Sequence, residues 1–189
     1  DSSILQGQVV RVRGIVLTEC DWHRHFNVSG GPDSYRCSIW LQAYDSTTNT
    51  GKSGPRTGLQ IRRQNVTDKP TGFTQLQQGQ YVELQGTVSY FQGEIQLLVD
   101  TNVSPIILAP SVPIAPPTLI APDSVNLPGQ LTHDLQKGDK WQGSFVMMRN
   151  LTVTNVQTNP LRITATDPNN NQVLIFGEFK GLTNLYPPN

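Results

Sequence analysis

Two cysteines and two histidines lie close enough in the sequence to suggest a metal site. Cys20, His23 and His25 fall in the segment "CDWHRHF", and Cys37 follows it. Two thiolates and two imidazoles can hold Zn²⁺ in tetrahedral geometry, and His23 and His25 would share one face of a strand. The C-x2-H-x-H spacing is atypical, because structural zinc sites usually contain pairs such as C-x2-C. A zinc site is therefore one of three interpretations of these residues.

The other two interpretations leave the cysteines free or join them in a disulfide. A Cys20–Cys37 bond would close a loop of 16 intervening residues. Cys20 ends the first predicted strand and Cys37 begins the second, and antiparallel neighbours bring such positions together. On the chain-entropy model this crosslink stabilises the fold by about 3 kcal/mol. We expect the disulfide, which implies an oxidising compartment.

Acidic residues beside the two histidines could take part in general acid–base chemistry. Glu19 and Asp21 are the nearest carboxylates to His23 and His25. Charged residues near a turn are more often solvated surface. The sequence also contains no G-x-S-x-G, H-E-x-x-H, P-loop or G-x-G-x-x-G motif. We therefore expect a protein that is not an enzyme and has no metal or cofactor.

A cluster of aromatic and basic residues in the same loop could bind a ligand. The cluster consists of Trp22, His23, Arg24, His25 and Phe26. An aromatic ring stacks on a nucleic-acid base for roughly 1–3 kcal/mol, and an adjacent arginine can contact phosphate. Five residues of later strands could extend this surface, namely Trp40, Arg62, Arg63, Tyr90 and Phe91. The alternative is that the rings pack the loop onto the fold and that Arg24 pairs with a nearby aspartate.

Alternating apolar and polar residues predict the strands that position these side chains. The strands are "GQVVRVRGIVLTEC", "CSIWLQAYD", "TGLQIRRQN" and "QYVELQGTVSYFQGEIQLLVDT", the last being two strands joined at "FQGE" with Gly93 in the turn. Ile39 and Leu41 should face inward, with Trp40 and Gln42 facing outward. "VSPIILAP" closes the unit, and "TGFTQLQQGQ" is predicted as a loop or a single helical turn.

A repeated pattern indicates a small barrel. "GQVVRVRGIV" recurs as "GQYVELQGTV", and each copy contains a glycine in mid-strand, Gly14 and Gly86. Such a glycine is expected at a bulge or at a sharp bend where a barrel turns its corner. Two such strands around a short hairpin are the layout of a five-stranded OB barrel, which we predict over residues 1–108.

Proline separates this barrel from a second unit. Residues 109–122 contain five prolines in "APSVPIAPPTLIAP" and predict a stiff, extended connector. Residues 123–189 predict a smaller β unit with strands in "GDKWQGSFVMMRN", "LTVTNV", "LRITATD" and "VLIFGEF", which could be a degenerate barrel packed on the first. The predicted class is therefore all-β: a five-stranded OB-type barrel followed by a smaller β-rich unit.

Composition points to an exported protein without a strong electrostatic preference. Lys plus Arg and Asp plus Glu both number 14, so no net charge drives binding to nucleic acid or an anionic membrane. Charged residues are only 15% of the chain, which suits an extracytoplasmic all-β protein. No apolar run is long enough to span a membrane. Position 1 is Asp and no leader segment is recognisable, which suggests a processed or truncated chain. We expect an extracytoplasmic protein that is secreted, periplasmic or surface-anchored after signal removal.

The segments "GQVVRVRGIVL", "SIWLQ", "LQQGQYVELQGTVSYFQGEIQLL" and "WQGSFVMMRNLTVTNV" resemble the OB-fold module of secreted bacterial nucleases, over roughly residues 5–155. Catalysis in those proteins belongs to a separate domain with acidic metal ligands, which is not recognisable here. Where the module has Glu-Gly-Met, this chain has Gln142-Gly143-Ser144. The resemblance therefore implies an exported accessory or binding module.

Three ligand classes fit this prediction. Single-stranded nucleic acid comes first, through the OB face and the loop between strands one and two. An oligosaccharide is a competing ligand, since Trp and Tyr also stack on sugar rings. A protein partner is the third, with edge strands adding to a partner's sheet on a periplasmic or lipoprotein surface. Affinity for nucleic acid should depend on salt, whereas affinity without phosphate contacts should not.

Overall fold

Most regular secondary structure in the described residues is β-strand. The computed structural model describes residues 5–20, 24–26, 34–67, 72–91, 93–100, 102–158 and 161–176. For residues 24–26, 34–35 and 64–67 it describes the backbone and not the side chains. The strands are β1 Val9–Val16, β2 Arg24–Phe26, β3 Ser34–Gln42, β4 Tyr44–Asp45, β5 Thr50–Gly51, β6 Gly58–Thr67, β7 Tyr81–Phe91, β8 Glu94–Leu98, β9 Ile106–Ala109, β10 Thr118–Leu119, β11 Val146–Met147, β12 Thr152–Thr158, β13 Leu161–Thr166 and β14 Gln172–Phe176. Short 3₁₀ helices lie at Pro122–Ser124 and Asp139–Trp141. The predicted all-β class is confirmed.

Five strands close into a ring in the order β1-β3-β6-β8-β7, because β7 also pairs with β1. The β6–β8 pair is parallel and the other four pairs are antiparallel. The fourth ring strand in the chain, β7, lies beside the first, so the strands follow the Greek-key order 4-1-2-3. Strand β9 pairs with the first residues of β7, on the edge of β7 that faces away from β1.

Alternate residues of the ring strands fill its interior. Ile39, Ile61, Leu84 and Leu97 are all fully buried, as strand periodicity requires. The segment between β6 and β7 forms turns and contributes Phe73 to the same core. Each such side chain stabilises the fold by roughly 1.5–3 kcal/mol relative to exposure. The sequence predicted the turn, but its polar composition did not show that its apolar residues complete the core.

The two mid-strand glycines mark places of close backbone approach. The β1–β7 register runs without interruption past Gly14 and Gly86, so neither glycine sits in a bulge between these strands. A Cβ at Gly86 would lie 2.5 Å from the carbonyl oxygen of Leu98, and one at Gly14 would lie 2.9 Å from the Cβ of Leu41. Glycine is required because neighbouring strands come too near for a side chain.

The proline-rich segment runs along the outside of the ring. Val112 N donates to Gly79 O at 2.8 Å, and Gly51 N donates to Pro113 O at 2.8 Å. Gln42 lies on the outer face of β3, as alternation predicts, yet only 1% of it is exposed because this segment covers it. Residues 112–115 of the connector are therefore packed against the ring and the adjoining β4–β5 hairpin.

The C-terminal strands form a three-stranded antiparallel meander, β12-β13-β14. The segment "GDKWQGSFVMMRN", which we predicted as a strand, is described in full, and only Val146–Met147 of it is a strand. The segment instead forms the Asp139–Trp141 3₁₀ helix, a turn with Gly143 at φ +66°, and the two-residue β11. Strand β11 pairs in parallel with β10 of the connector. The division of the chain into a barrel ending at 108, a connector ending at 122 and a second unit stays a prediction.

Candidate functional site

A disulfide joins Cys20, which lies four residues beyond the end of β1, to Cys37 within β3. The Sγ atoms of Cys20 and Cys37 are 2.03 Å apart and their Cα atoms are 5.4 Å apart. Both cysteines are buried within the ring core. The predicted bond is confirmed, and neither sulfur is available as a thiolate. The four-residue zinc set therefore cannot form while this bond is intact, because Zn²⁺ binds thiolate sulfur.

The loop closed by the disulfide is described in part. Strand β2 pairs with the start of β3, with Arg24 opposite Cys37 and His25 opposite Arg36. The predicted ligand residues Trp22 and His23 lie outside the described residues. For Arg24, His25 and Phe26 the backbone register is known and the side chains are not described. The ligand role of this loop stays a prediction.

The outer face of the second and third ring strands brings two predicted site residues together. Trp40 lies opposite Gln60, and Arg62 lies opposite Ser38. Trp40 and Arg62 are therefore diagonal neighbours on the same face of the β3–β6 pair, within reach of long side chains. The backbone of Trp40 is held by Thr18, whose Oγ1 accepts a 3.0 Å hydrogen bond from Trp40 N.

The guanidinium of Arg62 stacks on an exposed aromatic ring. Arg62 Cζ lies 5.4 Å from the centroid of the Phe91 ring, which is cation–π distance. Burial lowers the pKa of Arg62, and the nearby charge of Arg36 lowers it further. Neither arginine forms an ion pair with any residue that the structure describes. Arg62, with the like charge of Arg36 nearby, therefore lies against an exposed ring whose cross-strand neighbour is Glu94, and neither arginine forms an ion pair with that carboxylate. An arginine beside an aromatic ring can contact an anion that carries a planar group.

Arg63 lies on the other side of the same strand. It is 4% exposed, faces Cys37 on β3, and its Cζ is 5.7 Å from the Phe73 ring centroid. Burial lowers the pKa of Arg63, while Asp100 opposes that shift. Because successive strand residues point to opposite faces, Arg62 and Arg63 do not share one surface.

The two aromatic residues at the last ring hairpin also point to opposite faces. Gly93 has φ +90° in the turn between β7 and β8, which confirms the predicted hairpin. Tyr90 lies opposite Ile95, and Phe91 lies opposite Glu94. Tyr90 is 42% exposed and Phe91 is 49% exposed. Phe91 therefore lies on the same face as Arg62, whereas Tyr90 and Ile95 lie on the opposite face and form a separate exposed apolar pair.

Arg36 is the residue of this face that the sequence did not single out. The predicted strand began at Cys37, but β3 begins at Ser34 and includes Arg36. Alternation then places Arg36, Ser38 and Trp40 on one side of β3. Extending the strand by three residues upstream would have identified it.

The fold and this face define a closed five-stranded Greek-key ring with an arginine–aromatic outer surface. No protein-family model matches the chain. No curated protein sequence matches it significantly. Among the described residues, no three or more His, Cys, Asp and Glu side chains are grouped so as to hold a metal ion. The described part of the chain also has no helix that is both long enough and apolar enough to cross a membrane.

Proposed function

We propose that this protein is an exported, non-catalytic binding module whose ring is an OB-type barrel. The five-stranded Greek-key order supports the OB assignment, and so does the resemblance to nuclease-associated modules. The disulfide supports an extracytoplasmic location, because such bonds persist in oxidising compartments. The ligand we propose is single-stranded nucleic acid.

One observation carries the choice of ligand: Arg62 lies against the exposed Phe91 ring with the charge of Arg36 nearby, and neither arginine forms an ion pair with a described residue. In OB barrels the second and third strands and the loops after strands one and four bind oligonucleotides or oligosaccharides. Strands β3 and β6 are the second and third ring strands here, and the loop after β7 follows the fourth. A phosphate at the two arginines would place a neighbouring base near Phe91.

The test is a titration of a fluorescently labelled oligothymidylate at low and at physiological salt. We expect binding that weakens as salt rises, and Arg62→Gln or Phe91→Ala should each weaken it by about 10-fold. Arg162 and Phe176 provide a matched control, because Arg162 Cζ lies 4.3 Å from the Phe176 ring in the C-terminal meander. Arg162→Gln and Phe176→Ala should leave the affinity unchanged. Absence of binding at about 50 µM protein would reject the proposal.

A protein partner is the second candidate, and strand β9 is the observation that favours it. Ile106, Ile107 and Leu108 are about half exposed, and within the described residues β9 pairs only with β7. An exposed apolar edge strand is a template for an added strand. The partner would be an extended apolar peptide, and its affinity should not fall with salt. Ile107→Lys should abolish that binding and leave the nucleotide titration unchanged.

A further inference from the structure

A groove on the ring lies apart from the Arg62 face. It has a volume of about 120 Å³ and lies between β1, the end of β3 and the start of β6. Val12, Leu41 and Leu59 provide its apolar lining, and Arg13 and Arg56 also line it. None of the described residues that line the groove is acidic.

The two arginines differ in their partners. Arg13 Nε lies 2.7 Å from Glu83 Oε2, so its charge is balanced by an ion pair. Arg56 forms no ion pair with any residue in the described ranges. The groove therefore presents one uncompensated positive charge next to an apolar surface, which favours a ligand with a single negative charge.

The backbone at Arg56 gives a second, independent reason to single out this residue. Arg56 has φ +58°, in the left-handed region. The other described non-glycine residues with positive φ are all asparagines, at 49, 150 and 170, and asparagine tolerates this region because its side chain bonds locally. Arginine has no such compensation. The conformation is held by a 2.6 Å hydrogen bond from Arg56 N to Lys140 O. Backbone strain of this kind concentrates at functional sites.

We propose that the groove between β1 and β6 binds a small organic monoanion, with its aliphatic body against Val12, Leu41 and Leu59 and its charge at Arg56. The groove volume of about 120 Å³ corresponds to roughly four water molecules, which suits a chain of three or four carbons. The inference does not depend on nucleic-acid binding, because the Arg62 face has none of these residues.

The experiment is a ¹H–¹⁵N NMR titration of the full chain with three ligands that share a four-carbon chain: butyrate, butyramide and butylammonium. Butyrate should shift the backbone amides of Thr57 and Gly58 saturably at concentrations up to about 50 mM, as expected for a ligand of six heavy atoms. Butyramide and butylammonium should not. Equal shifts with butyramide, or no saturable shift with butyrate, would overturn the proposal, and so would tighter binding of inorganic phosphate.

Arg56→Asn separates a binding role from a structural one. Asparagine removes the charge but accepts the left-handed backbone, so the urea midpoint of the variant should not fall. Butyrate affinity should fall by about 10-fold or more. Lys52→Gln is the matched control, because Lys52 is an exposed cation nearby that does not line the groove. Undiminished butyrate binding by Arg56→Asn would reject the role of Arg56, as would an equal loss in Lys52→Gln. Arg62→Gln should bind butyrate normally whether or not nucleic acid binds.

Discussion

The side-chain amide of Gln42 forms two hydrogen bonds with the backbone of Ala115. Gln42 Oε1 accepts from Ala115 N at 2.9 Å, and Gln42 Nε2 donates to Ala115 O at 3.3 Å. Within residues 113–117 three positions are prolines, which have no backbone N–H, so only Ile114 and Ala115 can donate there. A Cβ at Gly51 would overlap the Gln42 amide, which explains the glycine beside it. The side chain of Gln42, a residue of β3, thus binds the connector to the ring through two hydrogen bonds.

Replacing Gln42 should therefore destabilise the fold strongly. Gln42→Leu leaves the buried N–H and C=O of Ala115 without partners, and we expect a loss of about 2–3 kcal/mol in the free energy of unfolding. Urea unfolding followed by tryptophan fluorescence measures it. The exposed Gln130→Ala is the control and should change stability by less than about 0.5 kcal/mol. A Gln42→Leu variant as stable as the parent would contradict the role of these hydrogen bonds.

The Cys20–Cys37 disulfide should contribute about as much to the free energy of unfolding as the hydrogen bonds of Gln42. Replacing both cysteines with alanine should lower the free energy of unfolding by about 3 kcal/mol, because the unfolded chain regains the freedom that the crosslink removes. Reductant should lower the urea midpoint of the parent protein and leave that of the double variant unchanged. Intact mass provides a second check. Uptake of two alkyl groups by the unfolded, unreduced chain would show that no disulfide is present.

Gly58 should not tolerate a side chain. A Cβ there would overlap the carbonyl group of Gly143, so β6 and the turn around Gly143 are in backbone contact. We expect Gly58→Ala to cost about 1–3 kcal/mol through overpacking. Gly72→Ala is the comparison, since the nearest atom to its Cβ would be Pro105 Cδ at 3.3 Å. Similar thermal midpoints for the two variants would argue against this contact.

The loop between β13 and β14 should make stability depend on pH. Asp167 Oδ1 accepts hydrogen bonds from Asn169 N at 2.9 Å and from Asn171 N at 2.8 Å. Burial alone would raise the pKa of Asp167, but the hydrogen bonds from Asn171 and Asn169 outweigh it and the pKa is lowered. The ionised form therefore stabilises the fold above the unfolded-state pKa of about 3.9, and this contribution is lost as the pH falls through the lower folded-state pKa.

Asp167→Asn removes that contribution at all pH values. The variant should be less stable than the parent at pH about 7, and the difference should shrink on acidification below about 3.9. Urea midpoints of both proteins across this range measure it. A difference that stays constant with pH would show that the charge of Asp167 is not involved.

Local pattern was sufficient to predict most of the ring. Alternation identified its strands and the burial of Ile39 and Ile61, because a half-buried strand must repeat with period two. The predicted strand boundaries placed the two cysteines at neighbouring strand ends and so indicated their bond, although Cys20 lies four residues beyond β1 and Cys37 lies inside β3. The same period, applied strictly, would also have separated Arg62 from Arg63, since neighbouring residues in a strand cannot share a face.

Contacts between residues far apart in the chain were decided only by the tertiary structure. Gln42 has an outward position in the strand pattern, and its burial depends on a segment more than 70 residues later. The pairing of Arg62 with Phe91 and the groove at Arg56 likewise depend on how the ring closes and where the 3₁₀ segment docks. Periodicity reports which face of a strand a residue occupies. What covers that face is set by long-range packing, which no local pattern encodes.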